Sequence, residues 1–246
     1  DKEILLTGDK EPYLLGLVLD QQGRAIRSPS DAEPFADYLL TSKSATREVD
    51  QDGTKKTATY VTIKMAANLP QKQAEKYRPV VQQFAEQYKI SPSLVFAIIR
   101  TESNFNPYAV SSAPAYGLMQ LVPTSGGREA YRKAKGQDVA PSRDYLFDPE
   151  NNVELGTAYL NVLMFNQLEA VDHHVSREYC VISAYNTGPS NVFRTFSRDR
   201  VAAVNQINSL QPAAVYDQLR ANLPYEETRH YLQKVTTYRK AFVSSS

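Results

Sequence analysis

Residues Ser91 to Gln120 read SPSLVFAIIRTESNFNPYAVSSAPAYGLMQ. Ser91 suits a helix N-cap and Pro92 the first helical position. Leu94, Val95, Ile98 and Ile99 recur at helical spacing, so the stretch opens with an amphipathic helix. Glu102 comes four residues after Ile98 and seven after Val95, which places it on the apolar face at the last turn. Burial there disfavours the charged carboxylate and raises its pKa. A carboxyl group that keeps its proton near neutral pH is what a general acid needs. A glutamate after an amphipathic run more commonly faces water, and that plainer reading stands beside the first. Asn106-Pro107 is expected to end the helix, because the residue before a proline is pushed out of helical conformation.

Downstream of this stretch the pattern is mainly helical. Residues 121–150 read as irregular and polar. Ser125-Gly126-Gly127-Arg128 lacks the Lys-Ser/Thr pair and the preceding strand of a phosphate-cradling loop, so it reads as a turn between helices. Asp148-Pro149 opens a helix with Val153, Gly156, Leu160 and Leu163 facing inward, Gly156 allowing close helix contact. His173-His174 beside Asp172 has no third partner at ligand spacing and reads as a solvated loop. A helix over Arg177–Asn186 ends at Gly188-Pro189, and Asn191 suits the cap of a short helical turn. The last helix begins after Pro224, with Tyr231, Val235, Tyr238 and Phe242 as its apolar stripe.

Upstream, Tyr77, Val81, Phe84 and Tyr88 share one helical face, and Pro79 should kink that helix or break it near its start. Asn68-Leu69-Pro70 marks a boundary. Before it the chain is of another kind. Tyr13 to Leu19 is apolar on both faces and reads as a central strand, with Gln22-Gly23 as a turn. Ser30 or Asp31 caps a short helix carrying Phe35, Tyr38 and Leu39 on one face. Gln51-Asp52-Gly53 reads as a hairpin turn, and Thr57 to Met65 alternates with a period of two. The fold class is therefore α+β: a small mixed α+β domain over 1–68, then a mainly α-helical domain over 69–246. No catalytic constellation falls in 1–68, which reads as an accessory scaffold.

Composition narrows the choices. The 246 residues carry a net charge of +1, which gives no broad electrostatic case for nucleic acid. The single cysteine, Cys180, excludes an internal disulfide and a cysteine-rich metal site. No apolar run approaches the length of a membrane span.

Three motifs in order resemble the signature of the family 1 lytic transglycosylases, relatives of goose-type lysozyme. They are Glu102-Ser103, Gly117-Leu118-Met119-Gln120 and Ala184-Tyr185-Asn186, the last followed by Gly188-Pro189. Thr228-Arg229-His230-Tyr231-Leu232 resembles the family's final motif, with Leu232 in place of the usual β-branched residue. The double glycine after Val122-Pro123-Thr124 is a second departure. The resemblance covers roughly residues 70–243 and implies a lysozyme-like domain. It implies Glu102 as acid and base, with Ser111 (Ser112 adjacent) and Tyr231 as catalytic partners. It implies Met119, Gln120, Tyr185 and Asn186 as sugar-binding residues, and neither a metal nor an organic cofactor.

The resemblance also implies the substrate and place of action. The substrate is the glycan strand of peptidoglycan, cut between N-acetylmuramic acid and N-acetylglucosamine without water to leave 1,6-anhydro ends. The place is the periplasmic side of the bacterial envelope, as an outer-membrane lipoprotein whose lipid-bearing N-terminus is absent from this chain. Glycoside hydrolases generally use two carboxylates, whereas the motifs here supply one. Glu129, Asp138, Asp144 and Asp148 lie in or near the polar connecting segment. One acid suits a substrate that brings its own nucleophile. A hydrolytic muramidase on the same fold, or a non-catalytic peptidoglycan-binding protein, stays open on sequence alone.

Overall fold

The computed structural model describes residues 16–51, 54–64 and 69–243. The chain divides into two compact units, Asp1–Lys72 and Gln73–Ser246.

In the first unit, helix α1 (Pro29–Ser42) is capped by Ser28, whose Oγ accepts from the Asp31 N–H. The cap thus lies two residues before the expected Ser30, since Pro29 takes the first helical position. Phe35 and Leu39 are buried on one face, and Phe35 stacks on Tyr38 at 6.4 Å. Strands β1 (Ser44–Gln51) and β2 (Thr54–Val61) pair antiparallel, Gln51 opposite Thr54. Asp52 and Gly53, which join them, lie outside the described residues, as does Met65. Most of the expected Tyr13–Leu19 strand is replaced or undescribed: residues 13–15 lie outside, and Leu19 makes an isolated bridge to Ala25. Gly23 turns the chain there at φ +81.

The second unit is helical. Helix α2 (Leu69–Tyr88), which begins in the first unit, runs through Pro79 without a break. Proline removes one backbone bond there, but Tyr77, Val81, Phe84 and Tyr88 are all buried on a common face, and that burial holds the helix together. Helix α3 (Pro92–Glu102) buries seven consecutive residues, Ser93 to Ile99. Ser91 is its N-cap by backbone position, yet its hydroxyl pairs with Ser93 at 2.8 Å instead of a backbone N–H. The helix stops at Glu102, four residues before the expected Asn106. Asn104 and Phe105 both adopt left-handed φ, +51 and +65. That conformation is costly for phenylalanine. It drives the ring into an aromatic cluster with Tyr77, Phe96 and Phe242, at centroid distances of 6.3–6.5 Å.

The segment 121–150 is more ordered than its polarity suggests. A π-helical turn (Pro123–Gly127) leads into α4 (Arg128–Lys135), and α5 (Arg143–Phe147) follows. Only Ala130 of α4 is buried, so the helix shows no apolar stripe in sequence. Helix α6 (Pro149–Val162) is capped by Asp148, whose carboxylate accepts from Asn151 N–H at 2.8 Å. Helix α7 (His174–Thr187) takes His173 as its N-cap through Nδ1. Next come α8 (Pro189–Phe196), α9 (Arg200–Ser209) and α10 (Pro212–Asn222). Gly188 precedes α8 at φ +83, and Asn191 lies inside α8, its amide donating back to the Thr187 carbonyl rather than capping. Helix α11 (Glu226–Val243) closes the unit, packing along α3 and α7.

One buried amide positions the Gly117–Gln120 segment. Asn152 on α6 accepts from Met119 N–H at 2.8 Å and donates to the carbonyls of Tyr116 and Leu146 at 2.9 and 2.8 Å. Gly117 makes room for it: a Cβ there would sit 2.3 Å from Asn152 Nδ2 and from the Leu146 carbonyl. Gly156 does the same for Met119, whose Sδ would lie 2.2 Å from an added Cβ. Asn152→Ala should remove three hydrogen bonds to backbone groups and cost about 3 kcal/mol, at roughly 1 kcal/mol net per hydrogen bond. Thermal melts followed by circular dichroism should show Tm falling by roughly 6–12 °C, and an unchanged Tm would show that water replaces the amide.

Candidate active site

Helix α3 carries Glu102 at its C-terminal end, the helix face being fixed by burial of Val95, Ile98 and Ile99. Tyr231 on α11 donates from its hydroxyl to Glu102 Oε1 at 2.7 Å. The ring of Tyr231 is buried, so the residue is both part of the apolar stripe and a partner of the carboxyl group. Burial pushes the Glu102 pKa up to about 7; the Tyr231 hydrogen bond opposes the rise, and the nearby Glu227 charge adds to it. Glu227 stands one helical turn before Tyr231 on the same face of α11. The Tyr231 hydroxyl itself is pushed well above its ordinary pKa by burial and then by the Glu102 charge, so it stays a proton donor in the hydrogen bond.

Ser103 ties the end of α3 to the next motif. Its hydroxyl donates to the Leu118 carbonyl at 2.8 Å. Gln120 adopts left-handed φ of +47, and its Nε2 donates to the carbonyls of Ala109 and Gly117, both at 2.9 Å. That leaves Oε1 as the free acceptor of its amide. Tyr185 on α7 donates to the Met119 carbonyl at 2.8 Å and packs against Tyr159 at 5.4 Å. Burial and the Glu102 charge push the Tyr185 phenol well above its usual range. Asn186 Oδ1 accepts from Thr228 Oγ at 2.6 Å, which joins α7 to α11.

Gln120, Tyr159, Tyr185, Asn186 and Thr187 line a cleft of about 330 Å³ that has no Asp, Glu, Lys or Arg among its described walls. Amides, hydroxyls and aromatic rings without charge suit a neutral, hydroxyl-rich ligand. Three of the sequence-derived residues meet there, and Tyr231 meets Glu102. Two others are placed differently. Met119 has a fully buried side chain held against Gly156 and is not among the walls of the cleft. Ser111 is exposed in the loop before Gly117, and its hydroxyl donates to the Ala113 carbonyl within that loop, with no hydrogen bond to Glu102.

Sequence reading missed Asn152, Thr228 and Glu227. Asn152 carried a weak signal, a polar residue beside the inward-facing Val153. Thr228 and Glu227 sit three and four residues before Tyr231, the spacing of one helix face, once Tyr231 is known to face Glu102. Among the described residues no His, Cys, Asp and Glu cluster could hold a metal ion.

The family model of the transglycosylase SLT domain matches residues 79–208, and that of the N-terminal domain of membrane-bound lytic murein transglycosylase C matches residues 1–76. Proteins named membrane-bound lytic murein transglycosylase C from Serratia proteamaculans and Klebsiella pneumoniae are each 45% identical over 233 residues, 95% of this chain. The chain spans 64% and 63% of their lengths. Among solved structures, an inactive glutamate-to-glutamine mutant of the lytic transglycosylase Slt from Pseudomonas aeruginosa superposes with a TM-score of 0.54 at 29% identity. That match covers 69% of this chain and 24% of the other. The 70 kDa soluble lytic transglycosylase of Escherichia coli gives 0.51 at 28% identity, covering 66% and 23%. The motifs seen in sequence, the helical unit that assembles them and these matches agree: the chain belongs to the transglycosylase SLT domain family, with an N-terminal segment of the kind found in membrane-bound lytic murein transglycosylase C.

Proposed function

We propose that this chain is a lytic transglycosylase that cleaves the β-1,4 bond between N-acetylmuramic acid and N-acetylglucosamine in peptidoglycan. The observation that carries the reading is the carboxyl group of Glu102, pushed up to a pKa of about 7 by burial and held by a hydrogen bond from Tyr231. Family membership and the shared names of the relatives support it.

In this reading Glu102 gives its proton to the glycosidic oxygen as the bond to C1 breaks. The substrate's N-acetyl oxygen stabilises the cation that develops at C1. Glu102, now a carboxylate, takes the proton of the C6 hydroxyl, whose oxygen bonds to C1 and closes the 1,6-anhydro ring. Tyr231 has a definite task in this scheme. A donor to Oε1 favours the charged carboxylate, so it stabilises the state formed after the first proton transfer. It also directs the acidic proton to Oε2. Gln120, Tyr185 and Asn186 bind sugar hydroxyl and amide groups, and Ser111 joins them only if its loop moves. Residues 1–68 act as an accessory domain and 69–246 as the catalytic domain. An envelope location is supported by the relatives being named membrane-bound. Among the described residues no helix is long and apolar enough to cross a membrane.

Digestion of purified peptidoglycan followed by mass spectrometry tests the reaction. Anhydro products are lighter than hydrolytic ones by one water; hydrolytic masses would make the chain a muramidase, and no products a binding protein.

Glu102→Gln should abolish cleavage while leaving glycan binding intact, and retained turnover would remove Glu102 from its role. The same variant has a signature in stability. The folded pKa of about 7 lies above the ordinary 4.5, so the protonated group stabilises the fold fully below pH 4.5, and that contribution is lost as pH rises through 7. Glutamine carries no such penalty. Relative to wild type, the variant should gain on the order of 3 kcal/mol between pH 4.5 and pH 8. Urea melts at the two pH values read this directly.

The acid role needs the protonated form, so kcat/KM should fall as pH rises through about 7. Tyr231→Phe removes the hydrogen bond that lowers the Glu102 pKa, and should shift that limb to higher pH while cutting turnover roughly tenfold or more. An unshifted profile with unchanged turnover would leave Tyr231 a packing residue only.

A further inference from the structure

Helical threonines in this chain usually turn the hydroxyl back on their own helix. Thr41, Thr101, Thr157, Thr195 and Thr236 each donate to the carbonyl four residues earlier, at 2.7–2.9 Å. Thr228 departs from that pattern. It is buried in the first turn of α11, and the carbonyl four residues earlier belongs to Pro224, ahead of the helix. Its hydroxyl crosses instead to α7 and donates to Asn186 Oδ1 at 2.6 Å.

That bond fixes which way the Asn186 amide faces. The two ends differ, Oδ1 accepting and Nδ2 donating. Were the amide turned over, Nδ2 would donate to the Thr228 oxygen, and the buried hydroxyl proton would have no acceptor among the described residues. An unpaired buried donor is costly, so the amide keeps Oδ1 toward Thr228. Nδ2 then has no protein acceptor among the described residues, and half-buried Asn186 is a wall of the uncharged cleft. Gln120, another wall, is tied the opposite way. Its Nε2 is held by the Ala109 and Gly117 carbonyls, and Oε1 is left over. One amide is thus fixed as a donor and the other as an acceptor, each by groups behind it.

We propose that Thr228 is a positioning residue that acts through Asn186, holding its amide with the N–H donors toward an oxygen of the bound sugar. This deepens the reading of the cleft as a sugar site and rests on it. Without the hydroxyl the amide turns about its last bond, a torsion with two broad wells. In the turned state Oδ1 meets the same sugar oxygen, acceptor against acceptor. Thr228 shares α11 with Tyr231, so a merely structural role has its own signature. Loosening the helix would disturb the Tyr231–Glu102 hydrogen bond and move the pH limb near 7. Loss of amide orientation leaves that limb in place, because Asn186 is not among the groups that shift the Glu102 pKa.

The probe is glycan strand stripped of peptide by an amidase, titrated by calorimetry into the whole chain carrying Glu102→Gln, which prevents cleavage. Thr228→Val keeps the shape and removes the donor; in that background it should raise Kd roughly fivefold or more, and Thr228→Ser should restore it to within about twofold. Asn186→Ala should also raise Kd, and adding Thr228→Val to it should change Kd no further, since two residues acting through one bond are not additive. Asn186→Asp keeps an acceptor for Thr228 but turns the cleft end from donor to acceptor, and should weaken binding at least as much. In the chain with Glu102 intact, Thr228→Val should raise KM while the pH limb near 7 stays put. Unchanged Kd in Thr228→Val, an additive effect on Asn186→Ala, or a moved limb would overturn the proposal. So would full affinity in Asn186→Asp, whatever Thr228→Val does to stability. Thr228-dependent strand binding with no cleavage by the intact chain would keep this role and overturn the enzymatic reading instead.

Discussion

Glu102 ends a helix whose residues Ser93 to Ile99 are all buried, and the fold gives its carboxyl group little water and one hydrogen bond, from Tyr231 at 2.7 Å. A carboxylate in that position is costly, and the cost sets the pKa near 7. The helix must be buried for this to happen, which requires α11 along one side and the aromatic cluster around Phe105 beneath its end. The left-handed turn at Asn104 and Phe105 is part of the same requirement. It stops the helix with Glu102 at the rim of the core, where a substrate can reach it, rather than one turn further out in solvent.

Three polar contacts hold the rest of the site to that point. Ser103 joins the end of α3 to the Gly117–Gln120 segment, Asn152 joins that segment to α6, and Thr228 joins Asn186 to α11. Each uses a buried or half-buried donor that would cost free energy unpaired, so each resists loosening. Tyr185 closes the ring by bonding the Met119 carbonyl. The residues that face the cleft therefore stand on residues that never touch it, and the second group is where geometry is decided.

Charge is divided between two neighbouring cavities. The cleft lined by Gln120, Tyr185 and Asn186 is neutral, and the one at α8 and its following loop is cationic. Besides burial, Tyr231 and Glu227 are the groups that shift the Glu102 pKa. A cation beside Glu102 would lower its pKa and remove the proton it holds near neutrality.

What sequence by itself determined was periodic or motif-borne. The helix that carries Glu102, the helix opening at Asp148 and the apolar stripe of α11 follow from spacing and capping chemistry, because a helix face repeats every three or four residues. The two-part division and the hairpin about Asp52-Gly53 follow from a change of period and from turn chemistry, although those two residues lie outside the described ones. Resemblance of four short motifs brought Glu102, Gln120, Tyr185, Asn186 and Tyr231 forward as a set. Helix α4 was not legible, since one buried residue leaves no stripe, and neither was the continuity of α2 through Pro79. Tertiary structure alone decided that Tyr231 is both core and partner of Glu102, that Met119 points inward while Ser111 bonds its own loop, and that Asn152, Thr228 and Glu227 belong to the site. Apart from the Ser111 bond within its loop, those facts depend on contacts between residues 33 to 129 positions apart. A local pattern carries the direction of a side chain from its own helix, but not the identity of what another helix brings to meet it.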